Sequence, residues 1–276
     1  MIVFHDVDGC LNTSDGKPLG LEPESLSIEQ ERALEDLGRL LDRSRITAFV
    51  LNTGRSWAAT EYLIRSIASA KLRFALVEHG SELWDIEAGQ TVDLERLAER
   101  NGLPETAAAL RTSRRIGDLI AWFHEAGNAR LCRRVGHDGT LTVLAKNTNL
   151  TISTPDPIDG SVLLSALRNL IEVQPEFSED RFVYHHSKPD GFVDVMGTMD
   201  KGLGVELLVR HIDGEFGDTV AVGNGLNDLP MLESVALPVC PANAEPRVKA
   251  LCRARGHLSS HVYIDTISEW LKAEAT

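Results

Sequence analysis

The chain has 276 residues, 43% hydrophobic and 25% charged, so it can bury a substantial core and does not read as disordered. Its 41 acidic against 28 basic residues leave a formal charge of -13, which argues against nucleic acid and anionic membranes as partners. No apolar run approaches the ~20 residues of a membrane helix, and no basic segment leads into an apolar one, so a soluble, cytoplasmic protein is expected.

The first stretch is Ile2-Val3-Phe4-His5-Asp6-Val7-Asp8-Gly9. Its short apolar run reads as a buried strand ending in two acids. Side chains two apart on an extended chain point the same way, so Asp6 and Asp8 can reach one small volume. Two such charges need a cation, a proton or a division of roles. A polar loop spans 12–24, and apolar spacing predicts a helix over Ser27–Leu41. A second strand, Ile46–Leu51, runs into Asn52-Thr53-Gly54-Arg55-Ser56 and a helix over Ser56–Ala70. That junction reads either as an N-capping loop or as an anion cradle made by the Thr53 hydroxyl and neighbouring N–H groups. A third strand, Phe74–Glu78, is followed by His79 and Gly80, and His79 is assigned no role.

From Glu87 to about Pro189 the pattern changes. Helices are expected over Leu94–Arg100, Ile116–Ala126 and Val162–Ile171. The runs Arg130–Val135 and Thr140–Lys146, on either side of Asp138-Gly139, predict a β-hairpin. This is an α+β insert in a parallel α/β chain. From Gly191 the first pattern resumes with strands Phe192–Val195 and Thr219–Val222. Between them, Asp200-Lys201-Gly202 opens a helix to His211. Lys201 at the positive end of a helix is mildly misplaced, which fits either a negative partner or a solvated lysine. Gly223-Asn224-Gly225-Leu226-Asn227-Asp228 brings oxygen donors to another strand end. Strands Leu237–Cys240 and His261–Ile264 and a helix over Thr266–Ala273 complete the chain. The four cysteines are scattered without a CxxC pair, and Cys10 is expected to be a small buried thiol.

Four polar clusters thus stand at or near strand ends: Asp6/Asp8, Thr53, Lys201 and Asn224/Asp228. Together FHDVDGCLN, LNTGRS, the DKG lysine and GNGLNDLPML resemble the motifs of the haloacid dehalogenase superfamily, in that family's order. The chain is most similar to its sugar-phosphate phosphatase branch, and PANAEPRVKA (241–250) adds to the likeness. The resemblance implies a Rossmann-like parallel-sheet core over 1–85 and 190–276, with an α+β cap inserted at 86–189 that selects substrate. It implies an aspartyl-phosphate on Asp6, with Asp8 as acid and base. Thr53, Gly54, Arg55, Lys201 and Asn227 would hold the substrate. Asp6, Asp8, Asn224 and Asp228 would hold Mg2+, and the substrate would be a small phosphorylated metabolite.

The family usually has Asp where this chain has Asn224, so weaker Mg2+ binding is expected. In the cap, Arg133, Arg134, Lys146, His185, His186 and Lys188 could contact an anionic substrate; on a strand the adjacent arginines would face opposite ways. A phosphomutase and a catalytically impaired phosphometabolite-binding protein are the alternatives, and a homodimer is left open.

Overall fold

The computed structural model describes every residue except 14, 15, 18, 21, 23, 24, 145, 188–190, 275 and 276. The chain forms two compact units, Met1–Asn101 with Asp200–Thr276, and Gly102–Met199. In chain order the first unit contributes β1 (Ile2–His5), α1 (Ile28–Arg43), β2 (Ala48–Asn52), α2 (Ala58–Ile67), β3 (Leu72–Val77), β4 (Glu82–Asp85), β5 (Gln90–Val92) and α3 (Leu94–Arg100). The second comprises α4 (Pro104–Trp122), α5 (Asn128–Val135), β6 (Asn149–Ser153), α6 (Gly160–Glu172), β7 (Val183–Ser187) and β8 (Phe192–Met196). The first unit then resumes with α7 (Lys201–His211), β9 (Thr219–Val222), α8 (Leu229–Ser234), β10 (Leu237–Cys240), α9 (Pro246–Arg255), β11 (His257–Leu258) and α10 (Tyr263–Glu274).

The main sheet has the order β11-β10-β9-β1-β2-β3-β4-β5. Neighbouring strands pair in parallel except at one edge, where β4 runs antiparallel to both β3 and β5. The central strands are continuous apolar runs, because a parallel sheet is covered on both faces. Helix α1 starts where Ser27 and Gln30 cap each other, Gln30 N–H donating to Ser27 Oγ at 3.2 Å and Ser27 N–H to Gln30 Oε1 at 2.9 Å. It buries Leu34, Leu37 and Leu41 in a core shared with Val3, Phe49, Leu51, Leu63 and Ile267. β1 lies between β9 and β2, with His5 beside both Val222 and Leu51. The chain segments after these three strands therefore emerge side by side, about 5 Å apart.

Several expectations need correction. The units divide after Asn101 and after Met199, not at 85 and 189. Residues 90–92 extend the main sheet by pairing with β4, while β8 pairs with β6 and β7 in the second unit's own three-stranded sheet. The expected hairpin is absent: Arg130–Val135 lies in helix α5, which ends at Gly136 in the left-handed conformation, φ 68°. Leu131, Cys132 and Val135 fall on one face of that helix. Among its described residues, Thr140–Lys146 contributes an isolated bridge, Val143 to Ile152. His261–Ile264 is not a strand, because the His261 carbonyl accepts from Thr266 Oγ1 and the chain turns into α10.

Candidate active site

Lys201 is the hub of the site. Its Nζ donates to Asp6 Oδ1 at 2.5 Å and to Asp228 Oδ1 at 2.6 Å, and the lysine is fully buried. Asp200 caps α7 by accepting from Gly202 and Leu203 N–H at 2.8 and 2.9 Å, which aims the next residue inward. Asn52, the last residue of β2, holds the Lys201 carbonyl through Nδ2 at 3.0 Å. Burial works against the Lys201 charge, but Asp228 and Asp6 outweigh it and push its pKa up, so it stays an ammonium. Burial raises Asp6 to about 7, with the Asp228 charge adding and Lys201 opposing.

Asp228 is set by its own loop. Its Oδ2 accepts from Asn224 and Gly225 N–H at 2.8 and 2.9 Å. Asn224 faces the first motif. In one amide orientation its Nδ2 donates to Asp8 O at 2.9 Å and to Asp6 Oδ2 at 3.3 Å. In the other its Oδ1 accepts from the Cys10 thiol at 3.3 Å and turns toward those same two oxygens. With the amide oxygen turned inward, these three oxygens would suit a small hard cation; with the N–H turned inward, it bonds the other two. Among the described residues no three His, Cys, Asp or Glu side chains group to hold a metal ion. The donors here are instead a carboxylate, a backbone carbonyl and an amide, a set that leaves places for water.

Gly9 makes room for this approach. It has φ 79°, and a Cβ there would lie 2.3 Å from the Asn224 amide. Gly9→Ala is expected to lower stability by about 1–2 kcal/mol from backbone strain alone. It should also displace Asn224; an unchanged urea midpoint would contradict this packing.

Thr53 is fully buried, and its hydroxyl accepts from Arg55 N–H at 3.1 Å, which leaves its own proton to donate. The chain beyond β3 braces this turn: Glu78 and His79 N–H donate to Arg55 and Thr53 carbonyls at 2.8 and 2.9 Å. Glu78 and His79 are both left-handed, at φ 49° and 59°. The His79 ring abuts Gly54, where a Cβ would lie 2.5 Å from it. Contacts thus link Asp6, Asp8, Lys201, Asn224 and Asp228, with Thr53 directly after the neighbouring strand β2.

Arg55 is different. Its side chain is 4% exposed and engages Asp8, whose side chain is 56% exposed. The resemblance implies that it holds substrate, but its guanidinium is committed inside the protein. Asn227 is exposed on the turn before α8. Of the second unit's candidate groups, Arg133 and Arg134 are exposed on helix α5, one helical step apart, not on opposite faces of a strand. His185 Nδ1 lies 3.7 Å from Asp194 Oδ2, and His186 packs on Gly160. Lys188 lies outside the described residues.

Sequence reasoning passes over His5, Asn12, Asn52, Tyr62 and Asn243. His5 is buried beneath the site, bonded through Nδ1 to the Asp6 carbonyl at 2.5 Å, and burial lowers it to about 4, so it is neutral. Asn243 donates to the Gly9 carbonyl at 2.9 Å and accepts from Tyr263 N–H at 3.2 Å. Asn12 accepts from Gly9 N–H at 3.1 Å. Polar residues ending otherwise apolar strands, as at His5 and Asn52, were the available signal. Burial and the Asp6 carboxylate push the Cys10 thiol up, so it is protonated and inert.

A family model described as haloacid dehalogenase-like hydrolase matches residues 162–264. A phosphatase-named protein of Streptococcus pyogenes serotype M6 is 24% identical over 266 residues, 91% of each chain. The phosphoglycolate phosphatase of Halobacterium salinarum is 27% identical over 162 residues, covering 57% of this chain and 64% of its own length. Among solved structures, the sucrose-phosphatase of Synechocystis, in complex with sucrose and phosphate, has a TM-score of 0.59 at 16% identity, over 99% of this chain and 97% of that one. A haloacid dehalogenase-like hydrolase of Bacteroides thetaiotaomicron gives 0.60 at 16%, over 99% and 98%. At these identities the structural likeness shows the fold alone.

Proposed function

We propose that this chain, a haloacid dehalogenase-like phosphatase, uses Mg2+ to hydrolyse a small phosphorylated metabolite, and that its substrates are sugar phosphates. The observation that carries the reading is Lys201 Nζ set between Asp6 and Asp228 at the carboxyl edge of the sheet, with Thr53 on the neighbouring strand end. In such sheets ligands bind at that edge.

In the reaction an Asp6 oxygen attacks phosphorus, and the ester oxygen departs with a proton from Asp8. The products are an aspartyl-phosphate and the free alcohol. Asp8, now a carboxylate, takes a proton from a water that attacks the same phosphorus, releasing phosphate and restoring Asp6. Lys201 and the Thr53 hydroxyl hold phosphoryl oxygens in place as charge shifts between them. Asp6, the Asp8 carbonyl, Asn224 and Asp228 would hold Mg2+, which when bound offsets the negative charge of the phosphoryl group. Asp228 already uses both oxygens on internal donors, so a contact through water suits it better than a direct one.

The sucrose-phosphatase likeness supports a sugar phosphate; the phosphoglycolate phosphatases add a small phosphorylated acid to the test. Phosphate release should be measured over a panel of sugar phosphates and 2-phosphoglycolate, with Mg2+ and with EDTA. Turnover of a sugar phosphate that EDTA abolishes is expected. No release from any member would sink the proposal, and turnover of 2-phosphoglycolate alone would reassign the substrate.

Asn224 shapes the cation affinity. It brings no charge, and its N–H can bond the very oxygens a cation needs. Asn224→Asp is expected to lower the Mg2+ concentration for half-maximal activity roughly tenfold, because ligand charge tunes affinity. An unchanged value in a Mg2+ titration would show that the amide is no handicap.

A further inference from the structure

Among the described residues the Asp8 carboxylate is held by Arg55. Arg55 Nε donates to its Oδ2 at 3.0 Å and Nη2 to its Oδ1 at 2.6 Å. The same Nη2 donates to the Leu19 carbonyl at 2.7 Å. Nη1 donates to the Gly20 carbonyl at 2.6 Å, to Tyr62 Oη at 3.1 Å and to the Ala59 carbonyl at 3.4 Å. The Tyr62 hydroxyl donates in turn to the Gly20 carbonyl. A guanidinium carries five N–H groups, and all three Arg55 nitrogens are engaged. Grasping a substrate phosphate would break a buried set of bonds. A two-point bond fixes the plane of a carboxyl group as well as its distance, which a single ammonium contact does not.

We propose that Arg55 is the positioning residue of Asp8: it sets the exposed carboxyl group in the orientation that serves the leaving oxygen, without touching substrate. The proposal rests on Asp8 being the proton donor and acceptor. A flexible aspartate would spread over rotamers, and misplacement of a catalytic group costs rate, not affinity.

The test compares phenyl phosphate with p-nitrophenyl phosphate, esters of one shape whose leaving groups differ in their need for a proton. The variants are Arg55→Gln, Arg55→Lys, Tyr62→Phe and Asp8→Asn, each with Mg2+. Arg55→Gln is expected to lower kcat/KM for phenyl phosphate about 10²-fold, the scale of general-acid assistance, and to change that for p-nitrophenyl phosphate little. Arg55→Lys should recover part of the loss. Tyr62→Phe should show the same preference more weakly. Adding Arg55→Gln to Asp8→Asn should cost nothing further. Equal losses on both esters, or a further loss in the double variant, would overturn the role of Arg55 and return it to substrate binding. Asp8→Asn without leaving-group preference would overturn the Asp8 assignment itself, and this inference with it. If Arg55→Gln melts early, Arg55→Lys and Tyr62→Phe decide: no leaving-group preference in either overturns the inference.

Discussion

Asp6→Asn is expected to lower phosphatase activity at least about 10⁴-fold while leaving the fold intact, since loss of the proposed nucleophile removes the covalent route altogether. The exchange is nearly isosteric in a site where Asp6 is buried against Lys201. Hydrolysis of p-nitrophenyl phosphate with Mg2+ checks it; a variant with a tenth of the normal turnover would remove Asp6 from the role of nucleophile. A second effect separates chemistry from stability. Burial raises Asp6 from 3.8 to about 7, so the folded, metal-free protein favours its protonated form. The sign follows from linkage: this contribution is complete below pH 3.8 and is lost as pH rises to about 7. In EDTA the normal protein should lose stability across that window. The Asp6→Asn variant, whose amide has no proton to lose there, should not share that loss. Parallel curves of urea midpoint against pH would contradict the burial cost assigned to Asp6.

Lys201→Met is expected to be the most destabilising single change in the site. Met fills similar volume but leaves the Asp6 and Asp228 carboxylates facing each other in a buried space. Breaking a buried ion pair on one side costs about 3–5 kcal/mol. The loss should shrink at pH 5, where Asp6 takes up a proton and removes one of the two charges. Activity should fall about 10²–10³-fold from the missing contact to the phosphoryl group. Urea unfolding at pH 7.5 and pH 5 measures the first effect; a midpoint equal to that of the normal protein at pH 7.5 would mean the ion triad contributes nothing.

What can be read from the sequence is what local chemistry writes. Continuous apolar runs mark the parallel strands, and the strand-end acids, the Thr53 turn and the cap at Asp200 stand in positions whose geometry short-range rules describe. The meeting of Lys201 with Asp6 and Asp228 follows from strand order, which the motif order implies. The place of Arg55 is not legible, because its partners lie on the 19–20 loop and on Tyr62, one turn into α2, and nothing in LNTGRS says which way its side chain turns. Helix α5 is hidden because an Asp-Gly pair after a mixed run suits a hairpin, whereas Gly136 has already ended a helix. The edges of the two units are hidden because β5 and β8 are short, and only pairing assigns a short strand to its sheet.

The central place of β1 has a consequence for the order of events during folding. Its residue 2 pairs with residue 48 on one side and with residue 219 on the other. Closing the longer loop costs about 1.4 kcal/mol more chain entropy than closing the shorter one. On an emerging chain β1 is made first, yet it gains its second neighbour only after the whole 102–199 unit, which is continuous in sequence, has been synthesised. Long-range parallel pairing of this kind is slow. The strand that leads into Asp6 therefore waits with one edge open, and a chain cut short before residue 219 would leave Asp6 without its β9 neighbour.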